Sequence, residues 1–412
     1  MLYNEKRLLA LMDQFDLSGL VASTPENIFY LSGFSSWKQR NYRHGNTQVY
    51  VVFPRDKGHK PALIVSEGDE AYASQQDLWI KEIFKYGKGK KAKTPDGKEL
   101  TPEERRFTAI LNVDPKGPNH VDVLIQVLRE KGMENSRIGI DHLGLGEGTF
   151  EKLNTLLTGT ELLRASNFFL YVRMVKSDNE IERLKCAAAL NSRAARAILE
   201  KADQGVSEEE LASLYRMEIA RAGGEVDWLH MAASRGANFP PLKDRILIKG
   251  DILRMDLGCR FQGYHADTCR SGCVGNPGDK QRKIFDAIQA GVSRSVEMLS
   301  PGVFSSELFE SMLQGVKSAG LPDFSRNFVG HMIGLEARGF PFALGQPKDL
   351  NDPFLPATTD VPMEAGMVVN LEASHHELGW GSVSVEYTLV VTEHGYEHII
   401  PSEQILYSLP LL

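Results

Sequence analysis

Cysteine is scarce in this sequence. Four occur in 412 residues, Cys186, Cys259, Cys269 and Cys273, too few for a disulfide framework in so long a chain. They include no Cys-x-x-Cys pair, so a thiolate-clamped metal site has little support. The three between 259 and 273 read as small buried side chains of a core sheet. Long apolar runs are missing as well. Nothing approaches the roughly 20 residues that cross a bilayer, and Asp13 and Asp16 break up the opening stretch where a secretory signal would need an apolar run. Basic charge is not in excess: 47 Lys and Arg stand against 54 Asp and Glu, a net charge of -7, which speaks against nucleic acid as a partner. The expectation is a cytoplasmic protein with neither membrane nor nucleic-acid partners.

What is present is an ordinary globular composition, 42% hydrophobic and 25% charged, long enough for two or three domains. Residues 8–16 look helical. Strands are expected at "GLVAS" (19–23), "NIFYLSGF" (27–34), "TQVYVVFP" (47–54), "ALIVS" (62–66) and within "RIGIDHLGL" (137–145). Strands alternating with helices predict an α/β domain over residues 1–168. Its lysine-rich insert "KYGKGKKAKTPDGKELTPEERR" (85–106) reads as a solvated surface loop.

A second domain is expected over 172–412. Ser177 with Glu180, and Ser207 with Glu210, are capping boxes that start two helices; Gly223 and Gly224 end the second. Another helical pair runs through "KQRKIFDAIQAGVSRSVEML" and "GVFSSELFESMLQGVKSAGL". Each pair precedes a strand pair, and "GDILRMDLG" and "GMVVNLEAS" both read glycine, five residues, then an acid. This is a weak internal duplication, two helix-plus-hairpin halves about a pseudo-two-fold axis.

The acids themselves are the main signal. Aspartate is a poor strand former, yet Asp256 and Asp267 lie in strand-like sequence beside Leu253, Met255 and Leu257. A hairpin turning at "RFQG" (260–263) would set Asp256 opposite Asp267, about 5 Å apart at Cβ. A second hairpin, turning around Gly379, would oppose Glu372 and Glu386. Four inward acids require a positive partner. A lysine or arginine could supply it, but a metal is the better supplier. His331, flanked by Gly330 and Gly334, would complete an oxygen-rich set suited to manganese, cobalt, iron or zinc.

These segments resemble the pita-bread metallopeptidases: methionine aminopeptidase, prolidase, aminopeptidase P and creatinase. The ligand motifs match at Asp256 in "MDLG", Asp267 in "YHADTCRS", His331 in "VGHMIGLE", Glu372 in "AGMVVNLEAS" and Glu386 in "VSVEYTLVVTEHG". The region around "NIFYLSGF" and "RIGIDHLGL" is similar to the creatinase/prolidase N-terminal domain. The resemblance implies two divalent ions, manganese foremost with cobalt, iron or zinc as alternatives, sharing a bridging hydroxide. It also implies Glu372 as general base, a homodimer, and a small-molecule or short-peptide substrate. The expected activity is that of an Xaa-Pro aminopeptidase or dipeptidase.

The sequence departs from the family pattern around that set. Arg338 stands seven residues after His331 where peptidase members carry histidine; "ASRGANFPPLKDR" lacks another; "SVEY" replaces the usual "RIED". Arg338 is therefore a candidate for a substrate carboxylate, His265 for a replacement proton shuttle, and Tyr387 and Trp37 for substrate contacts. His230, His375, His376 and Tyr30 are weaker candidates. These departures keep open an alternative, a non-peptidase acting on a small amide, amidine or zwitterion as hydrolase or lyase. A catalytically inactive binding module ranks third, because buried acids without their ions would be costly.

Overall fold

The computed structural model describes residues 1–42, 47–89, 91, 93, 97–401 and 403–411. It divides into two compact units, Met1–Val172 and Arg173–Leu412.

The first unit is a six-stranded mixed sheet with helices. Its strands are β1 (Gly19–Ala22), β2 (Tyr50–Pro54), β3 (Ala62–Ser66), β4 (Glu82–Tyr86), β5 (Arg137–Ile140) and β6 (Glu161–Arg164), in the order β4-β3-β2-β1-β5-β6. The helices are α1 (Glu5–Gln14), α2 (Pro25–Ser32), α3 (Trp37–Asn41), α4 (Glu70–Gln75), α5 (Pro102–Leu111), α6 (His120–Glu130), α7 (Thr149–Leu156) and α8 (Ser166–Arg173). The apolar stripe of α6 (Val123, Leu124, Val127, Leu128) packs into one core with Val21, Val52, Ile64 and Ile138 of the sheet.

Two expectations are corrected in this unit. "NIFYLSGF" is not a strand but most of α2. Thr24 caps it by accepting from the Asn27 amide, Pro25 fits its first turn, and Gly33 closes it in the left-handed conformation. Nor is 85–106 wholly a solvated loop. Lys85 is buried at the end of β4, 3.4 Å from Glu70, and Thr101 with Glu104 forms a capping box that starts α5. Residues 90, 92 and 94–96 of that stretch lie outside the described residues.

The second unit uses the same order of elements twice. α9 (Asp178–Lys201) and α10 (Glu208–Arg221) lead to β7 (Glu225–Ala233), β8 (Ile252–Phe261) and β9 (Tyr264–Val274). α11 (Asp279–Met298) and α12 (Ser305–Ser318) lead to β10 (Gly330–Met332), β11 (Val368–Glu377) and β12 (Gly381–Thr392). β13 (Gly395–His398) and β14 (Leu406–Leu409) complete two four-stranded sheets, β14-β9-β8-β7 and β10-β11-β12-β13. Both capping boxes, Ser177 with Glu180 and Ser207 with Glu210, form as the sequence indicates. Among the described residues no helix is long and apolar enough to cross a membrane.

Candidate metal centre

The first acidic hairpin is β8–β9. It turns on Gln262 and Gly263, with φ of +52° and +88°, the two positive values that a two-residue type I′ turn requires. The register therefore differs from the expected one: Asp256 lies opposite Cys269, and Asp267 opposite Gly258. The turn sits one residue further along than the sequence suggested. Because the pairing sum changes by two, both aspartates stay on one sheet face, now as diagonal neighbours rather than a direct pair.

β7 borders this hairpin, with His230 opposite Asp256 and Trp228 opposite Gly258. Gly258 has a steric role, since a Cβ there would come within 2.2 Å of the Trp228 ring. The indole lies over the bare position, and its Nε1 donates to Asp256 Oδ1 at 2.8 Å. From the helix side, Asn191 donates to the Leu257 carbonyl and accepts from the Tyr215 hydroxyl, which fixes the backbone beside Asp256.

The second acidic hairpin, β11–β12, has the expected register. Glu372 and Glu386 are directly opposed, and the chain turns through Leu378, Gly379 and Trp380, with Gly379 at φ +78°. β10 lies alongside β11, setting His331 opposite Asn370. Gly330 permits that approach, because a Cβ there would fall 2.0 Å from the Asn370 carbonyl oxygen. The hairpins are joined through Ser384, whose amide donates to Ser271 Oγ at 2.9 Å and whose hydroxyl accepts from Arg254 Nε at 3.1 Å.

The five ligand-type side chains share one environment. His331 Nε2 lies 3.4 Å from Asp267 Oδ2, while its Nδ1 donates to the Met332 carbonyl at 3.0 Å, the backbone contact that commonly orients a metal-binding imidazole. Asn370 donates to Glu386 Oε1 at 2.9 Å. Burial, with the charges of Asp256 and Glu372, raises the Asp267 carboxyl to about 6 against the pull of His331. Burial and the charges of Asp267, Glu372 and Asp256 push Glu386 well above the carboxylate range. Burial would lower His331, but its bond to Asp267 and the Asp267 and Glu372 charges hold it up. Burial would likewise raise Asp256; instead His230, Arg254 and Trp228 hold it well below the usual range. Burial and the neighbouring Asp256 and Glu386 charges raise the Cys269 thiol, which suits a neutral core side chain rather than a thiolate ligand.

Whether these residues fit a divalent ion is tested by the atoms left over. Asp267 Oδ1 and Glu386 Oε2 are buried with no hydrogen-bond partner, a costly arrangement that a cation would relieve. The donor set, four carboxylates and one imidazole, suits such an ion. Among the described residues no group of three or more His, Cys, Asp or Glu is poised to hold an ion as it stands. The donor atoms are turned to other partners: Asp256 to Trp228 and Arg254, Asp267 to His331, Glu386 to Asn370.

The remaining candidates divide. His265 shares the sheet face of Asp267, but its Nδ1 lies 2.7 Å from Asp227 Oδ2, at an irregular step of β7. Tyr387 follows Glu386 directly and so projects from the opposite face of β12. There its hydroxyl accepts from Gln289 at 3.0 Å, and its ring meets His398. The expectation that it contacts substrate is corrected on that ground. Arg338 lies with its guanidinium 5.0 Å from the Phe328 ring centre, and Arg326 is 5.3 Å from the same ring. His376 Nε2 contacts Ser374 Oγ at 3.1 Å. His375 meets the Trp380 ring edge-on. Trp37 belongs to the first unit, half exposed and edge-on to Tyr42, and Tyr30 is fully buried in that unit's core.

Sequence reasoning passed over Arg254, Trp228, Asp227 and Arg326. The signal for Arg254 was available, since it stands two residues before Asp256 and so on the same face.

Comparison with known proteins agrees with this architecture. Residues 182–393 match the model of metallopeptidase family M24, and residues 5–175 that of the creatinase/prolidase N-terminal domain. An Xaa-Pro dipeptidase of Pyrococcus furiosus is 23% identical over 406 residues, covering 97% of this chain and 98% of its own. An uncharacterised peptidase of Bacillus subtilis, YqhT, is also 23% identical, covering 96% of this chain and 97% of its own. Among solved structures, the X-Pro aminopeptidase of Thermotoga maritima superposes with a TM-score of 0.75 at 18% identity, covering 97% of this chain and all of that one. The prolidase of Pyrococcus horikoshii gives 0.71 at 20% identity, with 97% and 99% covered. Members of the family are metal-dependent hydrolases, which matches the donor set found here. With an M24 match over more than half its length, this chain belongs to metallopeptidase family M24.

Proposed function

We propose that the chain is an Xaa-Pro aminopeptidase or dipeptidase that hydrolyses an N-terminal peptide bond at the Asp256, Asp267, His331, Glu372 and Glu386 cluster. The observation that carries this reading is the pair of orphaned buried oxygens, Asp267 Oδ1 and Glu386 Oε2, within a set of four acids and one histidine. Asp256, Asp267, His331, Glu372 and Glu386 would hold two divalent ions, with four carboxylates and one imidazole as donors. Manganese is the first candidate, with cobalt, iron and zinc as alternatives. When bound, such ions supply Lewis acidity that activates water and polarises a carbonyl.

The chain's own groups do the rest. Glu372, midway along β11, is assigned to take the proton of the attacking water and return it to the leaving amine. His331, its Nδ1 held by the Met332 carbonyl, keeps Nε2 directed at Asp267. A cleft of about 530 Å³, lined in part by Arg326, Ser374 and His376, lies along β11 beyond Glu372. Arg326 and Arg338, both over Phe328, are the cations we assign to a substrate carboxylate. His265, paired with Asp227, is assigned to proton handling at the rim. A homodimer in the cytoplasm completes the reading.

A second reading is a relative acting on a small amide, amidine or zwitterion as hydrolase or lyase, favoured by Arg338 standing seven residues after His331 where peptidase members carry histidine. One assay separates the two. The metal-loaded protein is offered Xaa-Pro dipeptides, longer peptides with proline second, and small non-peptide amides. Turnover of the proline peptides supports the first reading, and turnover of only the non-peptide amides replaces it with the second.

A further inference from the structure

We propose that residues 234–242 form a substrate-reading arm, in which Asn238 offers its side-chain Nδ2 as a donor to a carbonyl or carboxylate oxygen of the substrate. Glu208 is the positioning residue that holds the arm. The inference rests on the reading of the neighbouring acid cluster as the place of hydrolysis.

The arm leaves the end of β7 and belongs to the connection with β8. Pro240 and Pro241 have no amide hydrogen to give, so a regular backbone ladder cannot tie this stretch down. One carboxylate does so instead. Glu208, the first residue of α10, is fully buried and accepts from the Ala233 amide at 2.7 Å and the Leu242 amide at 2.8 Å, one at each end of the arm. It also pairs with Arg235 within the arm. Arg235 in turn donates to the carbonyls of Met231 and Pro240, each at 3.1 Å, and lies 4.8 Å from the Phe239 ring centre. A buried charge is costly unless its partners are well placed, and this one spends its bonds on the shape of a single surface loop. At Gly236 the arm rests on the β11–β12 turn so closely that a Cβ would fall 2.2 Å from the Glu377 carbonyl oxygen.

What the arm presents follows from hydrogen-bond roles. Asn238 is exposed, and its Oδ1 accepts from Arg254 Nη1. That guanidinium is itself fixed. It is 2% exposed, its Nε donates to Ser384 Oγ at 3.1 Å, and its Nη2 donates to Asp256 Oδ2 at 3.0 Å. Arginine has donors only, so it settles the sense of the carboxamide: the oxygen faces the guanidinium and the nitrogen is left over. Nδ2 makes no hydrogen bond among the described residues. Asn238 and Asp256 therefore sit on two nitrogens of one guanidinium, which sets the spare donor beside the acid cluster. A donor in that position recognises an acceptor oxygen and discriminates against a protonated amine.

The test is steady-state kinetics of the manganese-loaded full chain on an Xaa-Pro dipeptide and on a small non-peptide amide, using whichever the parent turns over. Elemental analysis holds the manganese content equal among variants. Asn238→Ala is expected to raise KM about tenfold, the loss of one donor, with kcat within about threefold of the parent. Asn238→Asp separates recognition from support. It keeps the shape and the acceptor for Arg254 but turns a second oxygen toward the substrate, so KM is expected to rise at least as far as in Asn238→Ala. Glu208→Gln is expected to raise KM with kcat little changed, and to add less than about twofold to the KM of Asn238→Ala when the two are combined. Should Glu208→Gln fail to fold, the two Asn238 variants, at an exposed position, carry the decision. A parental KM in Asn238→Asp, or in Asn238→Ala, would overturn the inference while leaving the acid cluster as the place of reaction. A parent that turns over neither substrate would remove that underlying reading and this inference with it.

Discussion

Trp228 reaches Asp256 only because residue 258 has no side chain. The indole Nε1 donates to Asp256 Oδ1 at 2.8 Å, and the ring occupies the space that a Cβ at position 258 would enter. The carboxylate is thus held by a strand neighbour whose access depends on a glycine.

Gly258→Val should expel the indole. Overpacking of this kind costs about 1–3 kcal/mol, and the freed Asp256 oxygen loses its donor. Chemical denaturation should register the loss of stability, and the emission of Trp228 should shift red as the ring becomes wetter. Trp228→Phe should show a smaller loss, about 1–2 kcal/mol, from the missing hydrogen bond alone. Unchanged stability in both variants would show that the contact does not constrain Asp256.

In the metal-free protein, Asp267 is raised to about 6, chiefly by burial, from 3.8. The folded state therefore holds a proton that the unfolded chain has released between these values. The sign follows: the penalty is absent below about pH 4, grows through the interval, and is complete above about pH 6. In chelator, Asp267→Asn should match the parent near pH 4 and exceed it at pH 7, by roughly 1–3 kcal/mol. Added manganese should reverse that order, because only the parent gains about 2.7 kcal/mol at a hundredfold excess over Kd. Denaturant titrations at the two pH values, with and without metal, measure all four states.

Arg338→Met should raise KM about tenfold for a substrate with a free carboxylate, equivalent to about 1.4 kcal/mol. kcat should change little. The same substrate with its carboxylate amidated should show no such difference between parent and variant. An equal loss on both substrates would indicate that Arg338 supports the Phe328 loop rather than recognising charge.

Asp141 is the polar hub of the first unit. Oδ2 accepts from the amides of Ser23 and Thr24, the Thr24 hydroxyl and the Asn27 amide group, and Oδ1 accepts from the Ser166 hydroxyl. Asp141→Ala leaves several buried donors unmet and should cost about 3–5 kcal/mol. Asp141→Asn should cost less, because one oxygen acceptor remains. Thermal unfolding of the full chain would show the difference as an earlier first transition.

The parts legible in the sequence were those with local physical causes. Ser177 and Ser207 announce their helices by pairing with a glutamate three residues on, and Glu372 and Glu386 could be paired because the loop is centred on Gly379. The first hairpin was read one residue short because Gln262 adopts positive φ, which glutamine does not advertise. "NIFYLSGF" was misread because its apolar residues suggest a strand, while the decisive signals, Thr24, Pro25 and Gly33, lie at its ends. Arg254 was legible in principle, since it stands two residues before Asp256 and so on the same strand face, and the paired hairpin shows that it donates to that carboxylate. Tyr387 failed as a substrate residue for the simplest reason, that adjacent strand residues point opposite ways.

One further consequence comes from β14. Leu406–Leu409 run parallel to Ser271–Val274, with Leu409 seated against the bare Gly272. This short segment shields the outer margin of the very sheet that bears Asp267, where unpaired amides would otherwise invite another chain. Clipping it, or fusing a bulky tag that pulls it away, would leave that margin sticky and provoke clumping well before the chemistry itself was disturbed.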